Sequence, residues 1–357
     1  MSVGWRLTVE PSGDLLAWSL LRADSSGVQA WSGLIEDCAA ARRITEQVVE
    51  DGGSRLAQAD AEAEASAELG ALLPPPLRSG LERANPDTLL TVCVRGWLAR
   101  VPWPALEIGA DGSRLVEHCT LLAGLAPGLV PRNRATGGRV GSRGQGLWIV
   151  DPGPPDGRWP ALFPYGYPHQ LEVAVPVGDT LTPGGQPYAA ADFSRALRSR
   201  DWSHLLVVAH CVSDPVSPAA AGLVFSNSSG VGTFTAHTWF GDPAAWPAPP
   251  SVALIGCGTD DGVSMEQAGL VTAAIRAGAE AVVATRWTLP NTPETLIMVA
   301  VVGQCLRSEG VVAAVNDWQR IQARRWRQTG EPASAPRYWA SLIGYDTALL
   351  AGQRVAR

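Results

Sequence analysis

Two residues of this chain carry the means of nucleophilic chemistry at matched places. His210 follows the apolar run Leu205-Leu-Val-Val-Ala209, and Cys257 follows Val252-Ala-Leu-Ile-Gly256; loop-forming residues come after each. If both runs are strands of one α/β sheet, the two side chains stand at carboxyl edges, where ligands bind in the crevice beyond the strand ends. Parallel neighbours would then bring thiol and imidazole together. The imidazole takes the thiol proton, and the thiolate attacks a carbonyl carbon. On the same strand-to-loop turn, the backbone N–H groups of Cys257 and Gly258 are placed to stabilise an oxyanion. The bland reading of the same residues is a buried structural thiol and a loop histidine, and only context separates the two.

The elements that must position this pair are legible as punctuated apolar runs. Residues 4–21 alternate around Pro11-Ser-Gly13 and predict a β-hairpin. Helical spacing predicts a helix over 34–49. A second helix is expected over the Ala- and Glu-rich stretch 56–72, whose low hydrophobicity leaves part of it open as a solvated face or linker. After Pro74-Pro-Pro76 the pattern changes to short, nearly continuous apolar runs at 88–94, 146–150, 205–209, 252–256 and 281–285, alternating with helix-like segments. Such runs mark strands covered on both faces. Ser264 and Gln267 form a capping box for a helix over 265–277 that Gly278 ends, and Thr292-Pro293 opens another reaching about 307. The Gly- and Arg-rich segment 131–146 is expected as a surface loop. It lacks the lysine of a phosphate loop and precedes a strand instead of following one.

Composition removes several kinds of chemistry. All 28 basic residues are Arg, so no Schiff base, pyridoxal phosphate enzyme, kinase lysine or Walker lysine can be built. A charged fraction of 17% with net charge -6 offers no footprint for nucleic acid or an anionic membrane. Cys38, Cys93, Cys119, Cys211, Cys257 and Cys305 are scattered through apolar runs, which reads as reduced thiols of a cytoplasmic protein and not a disulfide framework. The amino terminus lacks the basic and apolar regions of a signal peptide. His118, His169, His204 and His237 have no ligand-like spacing with the cysteines, so neither a metal nor a cofactor is expected.

The order of motifs resembles the CHAT family, caspase-like domains related to separase. The likeness runs through Val207-Val-Ala-His210-Cys211 and, about fifty residues on, Ala253-Leu-Ile-Gly-Cys257-Gly258-Thr259-Asp-Asp-Gly262. It continues through Gly269-Leu270, Ala277-Gly-Ala-Glu-Ala-Val-Val-Ala-Thr-Arg-Trp287 and Thr292, Glu294 and Thr295. Upstream and downstream it takes in Val101-Pro-Trp-Pro-Ala-Leu106, Ala221-Gly-Leu-Val-Phe-Ser226 and Pro336-Arg-Tyr-Trp-Ala-Ser-Leu-Ile-Gly344. The resemblance spans about 65–348 and implies a three-layer α/β/α sandwich with a mostly parallel central sheet. It divides the chain into a hairpin-and-helix extension over 1–60 and a peptidase domain over 61–357.

What the resemblance implies functionally is a cysteine endopeptidase in which Cys257 attacks and His210 exchanges protons. Its substrate is a protein or peptide, and a regulatory protein partner controls it. Cys211 stands where the family has the glycine that completes the oxyanion hole. Gly258 replaces the usual glutamate after the nucleophile, and Ile255 and Gly256 replace the flanking serine and alanine. Preference for a basic residue before the scissile bond calls for a carboxylate in the pocket; Asp214, Asp260 and Asp261 are the candidates, against the alternative of solvated loop aspartates. Trp239, Trp246 and Trp287 either line a groove or close a core. Cys211 competes as nucleophile, although adjacent residues point apart. Two other readings stay open: an inactive scaffold that binds a protein partner, and a protein that processes only itself, for which the Arg-rich 131–146 segment is a natural cut site. The Arg-, Ala- and Gly-rich, Lys-free composition suggests a bacterial source.

Overall fold

Gly4–Ser12 (β1), in which apolar and polar residues alternate from Trp5 to Glu10, and the more continuously apolar Leu15–Asp24 (β2) form an antiparallel hairpin whose inward side chains, Trp5, Leu7, Val9, Leu16, Trp18 and Leu20, are buried. The computed structural model describes residues 4–24, 27–125, 144–152, 162, 171–172, 175–182, 188–212, 220–227, 230–256 and 269–352. By internal contacts the chain forms two units, one from 1–130 and 315–357 and one from 131–262 and 266–314.

In the first unit, residues 34 and 35 end a third strand, Gly27–Ile35 (β3), instead of beginning a helix; the helix occupies Ala39–Glu50. Gly27 takes φ of 130°, a conformation few other residues reach, at the reversal from β2. Gly33 lies opposite Trp18, whose indole would come within 2.9 Å of any Cβ there. Leu89–Val94 (β4) joins β1 in parallel, and Thr120–Ala123 (β5) joins β4, giving the order β3-β2-β1-β4-β5. The Ala- and Glu-rich stretch is no linker. Its helix, Ala59–Leu69, buries Ala65 and Leu69 together with Glu62, which pairs with buried Arg114 at 2.9 Å. Residues 315–329 of the helix Val311–Thr329 hold the unit's backbone through side chains. Asn316 accepts from Leu121 N at 2.9 Å and donates to Leu121 O at 3.2 Å, while Arg320 donates to the carbonyls of Val116 and Pro86.

The second unit is built on parallel strands. Gly146–Val150 (β6), Thr180–Leu181 (β7), His204–Val208 (β8), Ser251–Ile255 (β12) and Ala281–Thr285 (β13) lie in the order β13-β12-β8-β6-β7. β6, β8 and β13 are buried along their whole length, as the unbroken apolar runs predict for a sheet covered on both faces. Helices including Ala190–Arg198, Leu270–Ala277 and Pro293–Cys305 supply the cover, and the arrangement is a three-layer α/β/α sandwich of caspase-like type. Thr292 caps the last of these by accepting from Thr295 N at 3.5 Å, the start predicted from Thr-Pro. The capping-box pair Ser264 and Gln267 lies outside the described residues.

A smaller antiparallel sheet, Cys211–Val212 (β9), Gly222–Asn227 (β10) and Gly230–Thr235 (β11), follows β8 directly. Its own Phe225 and Phe234 pack with Phe193 of the helix Ala190–Arg198, with Phe193 stacked on Phe225 at 5.3 Å and Trp246 at 4.6 Å from Phe234. Trp239 and Trp287 are fully buried. These tryptophans belong to the core, and the groove-lining alternative for them is withdrawn.

Candidate active site

The carboxyl edge of the parallel sheet is set by register. Val208 of β8 lies opposite Val150 of β6 on one side and Ile255 of β12 on the other, so the three strands end at one level. Beyond that level the ladder continues by one bond on each side: Asp151 N donates to Val208 O at 2.7 Å, and Ala209 N donates to Ile255 O at 3.1 Å. His210 comes next, half-buried at the edge, and its carbonyl accepts from Val224 N at 2.8 Å. The chain thereby leaves the parallel sheet at His210 and enters β9. Cys211, the competing thiol, is a buried member of β9 opposite Leu223, with its sulfur 3.8 Å from Val212 O.

On the β12 side the last described residue is Gly256. Cys257 and Gly258 lie outside the described residues, as do Asp214, Asp260 and Asp261, the three carboxylates considered for specificity. Gly256 itself is clamped by a residue that the sequence reading passed over. Thr285, fully buried at the end of β13, accepts from Gly256 N at 3.0 Å and donates to Gly256 O at 2.5 Å. The β12–β13 pairs end at Leu254 and Ala284, so this hydroxyl takes over where the ladder stops. Its signal was present: one hydroxyl at the end of the otherwise apolar run Ala-Val-Val-Ala-Thr.

Two buried charges stand at the same edge and were also missed. Asp151, directly after β6, is 4% exposed and adopts φ of 52°, a left-handed conformation that Asp tolerates better than most residues but still at a cost. One of its carboxylate oxygens accepts from Leu162 N at 2.9 Å. Arg286, directly after β13, is equally buried. Asp at the end of an apolar run, followed by Pro-Gly-Pro-Pro, was the only sequence cue to the first of these.

The opposite, amino edge holds another histidine, the first residue of β8. His204 Nε2 donates to Asp179 at 2.9 Å, and its Nδ1 lies 2.8 Å from Ser203 Oγ. Asp179 also accepts from Gly146 N at 2.7 Å, Trp148 Nε1 at 3.1 Å and Arg307 Nη1 at 3.1 Å. Every lone-pair direction of that carboxylate is occupied, and burial holds the His204 imidazole below its ordinary value despite Asp179. His118 is bonded to Ser113 Oγ at 2.8 Å, His237 is exposed on the helix Ala236–Gly241, and His169 lies outside the described residues.

Among the other thiols, burial pushes Cys119 up to about 12 and raises Cys93, so neither supplies a thiolate near neutral pH. Among the described residues no group of three or more His, Cys, Asp or Glu side chains is arranged to hold a metal ion, and no helix is long and apolar enough to cross a membrane. The sequence model of the family described as CHAT domain matches residues 63–346, and no curated protein matches the chain.

Proposed function

The chain belongs to the CHAT domain family, and on that premise we propose that it is a cysteine endopeptidase whose nucleophile is Cys257 and whose proton carrier is His210. The observation that carries this reading is the parallel register of β8 and β12, which brings His210 to the sheet's carboxyl edge beside the strand that leads into Cys257. The sulfur of Cys257 gives its proton to His210 and forms a bond to the scissile carbonyl carbon. The backbone N–H groups of Cys211, Cys257 and Gly258 stabilise the oxyanion. Collapse of that intermediate breaks the C–N bond, and the imidazolium returns its proton to the leaving amine. Water, deprotonated by the same imidazole, then hydrolyses the thioester and releases the acid.

Asp214, Asp260 and Asp261 are the carboxylates assigned to a pocket for arginine before the scissile bond. A regulatory protein partner switches the enzyme on in the cytoplasm, with 1–60 as an appended extension and 61–357 as the peptidase domain. A second reading, a catalytically silent scaffold, is favoured by one observation: the position of the oxyanion glycine is held by Cys211, whose side chain is packed into β9.

Alkylation by iodoacetamide followed by mass spectrometry, together with a fluorogenic peptide library, separates these accounts. Cys257 is expected to alkylate faster than a free thiol and to slow in His210→Ala, while turnover disappears in Cys257→Ala and persists in Cys211→Ala. Turnover lost only in Cys211→Ala would move the nucleophile. A Cys257 no more reactive than a denatured thiol, with no turnover, supports the scaffold.

A further inference from the structure

Four neighbouring strands of the second unit carry two buried charges to the level of the proposed dyad. Val150 of β6 and Ile255 of β12 both lie opposite Val208 of β8, and Ala284 of β13 lies opposite Leu254 of β12. Counting on from these pairs puts Asp151, Ala209, Gly256 and Arg286 in one row across the carboxyl edge. The bonds from Asp151 N to Val208 O and from Ala209 N to Ile255 O hold that row, together with the Thr285 hydroxyl on Gly256. One residue further along the chain come His210 and Cys257. From β6 to β13 the edge therefore reads carboxylate, imidazole, thiol, guanidinium.

Local backbone needs explain neither charge. Asp151 is the one non-glycine with positive φ among the described residues. Glycine takes that conformation freely and asparagine about as readily as aspartate, and neither would bury a charge. Arg286 continues the wholly buried apolar strand Ala281–Thr285, where an apolar side chain would be the ordinary choice. Both residues are 4% exposed, and burying a charge is costly unless opposite charge answers it.

We propose that Asp151 and Arg286 bracket the dyad and favour its ionised form, a thiolate on Cys257 and an imidazolium on His210. The proposal rests on the endopeptidase reading of that pair. A proton moves from the sulfur to an imidazole nitrogen, so a neutral pair becomes two opposite charges, and one charge on each flank selects that state. Strand spacing makes the selection work. Neighbouring strands lie about 4.8 Å apart, so Asp151 stands one spacing from β8 and two from β12, and Arg286 the reverse. Each charge thus acts more strongly on the group it stabilises than on the one it opposes. Both act through the dyad, as positioning residues. Cys211 of β9 and Asp214, Asp260 and Asp261, which flank the dyad in sequence, stay unchanged in every variant of the test.

The chain has five histidines, so isotope labelling of histidine gives five ring signals in NMR, and His210→Gln assigns the one required. In the full chain carrying Cys257→Ala, Asp151→Asn is expected to lower the His210 titration midpoint by about one unit, tenfold in the equilibrium. Asp151→Gly, which suits the positive φ, should do the same. For the other flank, iodoacetamide alkylation of Cys257 is followed against pH in otherwise wild-type protein. Arg286→Met should raise its midpoint by about one unit, and Arg286→Lys, which keeps the charge, should hold it at the wild-type value. Unchanged circular dichroism shows that the variants fold. A merely structural role slows alkylation at every pH and leaves the midpoints in place. Movement of less than about 0.3 unit, twofold in the equilibrium, at either group overturns the proposal. Shifted midpoints in a chain that cleaves no peptide would support the bracket and count against the endopeptidase reading; turnover with unmoved midpoints would do the reverse.

Discussion

Thr285 offers the sharpest test of the proposal that the sheet presents Cys257 to a substrate. Its hydroxyl makes two bonds to one residue, accepting from Gly256 N at 3.0 Å and donating to Gly256 O at 2.5 Å, from a fully buried position. Thr285→Val keeps the side chain's shape and removes both. Each bond is worth about 1 kcal/mol net, and the cost of leaving the two backbone groups unmet is moderated because Gly256 is half-exposed and water can reach it, so the total is about 2 kcal/mol. If that energy holds the residue before Cys257 in place, its loss appears at the site as a fall of roughly 30-fold in alkylation rate of Cys257. Thr285→Ser is the counterpart. It keeps the hydroxyl and loses one buried methyl, which costs about 0.8 kcal/mol in global stability but leaves the clamp intact. The expected pattern is crossed: Ser lowers the unfolding midpoint and preserves Cys257 reactivity, whereas Val loses reactivity. The reasoning is refuted if Val reacts within twofold of wild type, or if Ser loses as much reactivity as Val.

Three further outcomes follow from buried groups elsewhere. The imidazole of His204 is held below its ordinary 6.5 chiefly by desolvation, with the Arg307 charge adding to this and Asp179 opposing it. The unfolded chain therefore binds the proton first, and stability present above about pH 6.5 is lost as pH falls through the folded-state value; urea midpoints measured across that range should fall with acidification, and less so in His204→Gln. Glu62→Ala removes the carboxylate from buried Arg114 and should cost about 3 kcal/mol in chemical unfolding, the half-exposed Glu107 at 3.8 Å keeping the loss from being larger; replacing both by Glu62→Leu/Arg114→Met should cost less than the single change. Gly303→Ala improves helix propensity by about 1 kcal/mol, yet its Cβ would overlap the buried Trp148 ring, so the melting temperature should fall, and a rise would contradict the packing seen here.

The strands were legible because burial on both faces writes itself as an uninterrupted apolar run. Thr-Leu-Leu-Thr-Val-Cys-Val and Gly-Leu-Trp-Ile-Val coincide with β4 and β6 to within a residue. β3 was not legible, for the opposite reason: its first four residues are exposed and only Trp31, Gly33 and Ile35 turn towards the core, too short an alternation to stand out, and its last two residues were absorbed into the helix that follows. The helix Ala59–Leu69 looked too polar to pack because Glu62 and Ser66 are buried through a partner, Arg114, that lies far along the chain. The same limit hid Thr285. A hydroxyl at a strand end acquires meaning only when β12 and β13 are known to be neighbours, and single-sequence patterns do not contain that adjacency. His210 was singled out because its place at a strand end needs no partner to be noticed.

His204 and His210 show why position in the sheet, and not residue type, carries the functional argument. His204 begins the strand and His210 follows its end, six residues on in the same chain segment. His204 has the outward marks of a catalytic group, a serine hydroxyl on one nitrogen and a carboxylate on the other. That carboxylate, however, is saturated by the backbone of Gly146, the indole of Trp148 and the guanidinium of Arg307, and Gly146 N, a donor that could face an oxyanion, is already committed to it. Among the described residues this is a closed set of bonds, its donors already given to the carboxylate. At the carboxyl edge the ladder instead runs out: the β12–β13 pairs stop at Leu254 and Ala284, the backbone of Gly256 passes to the Thr285 side chain, and Asp151 accepts a strained backbone conformation. Backbone groups that leave ladder pairing at that edge lie where α/β sheets bind ligands, and it is on this side that His210 stands, whereas His204 joins β8 to Asp179 at the amino edge.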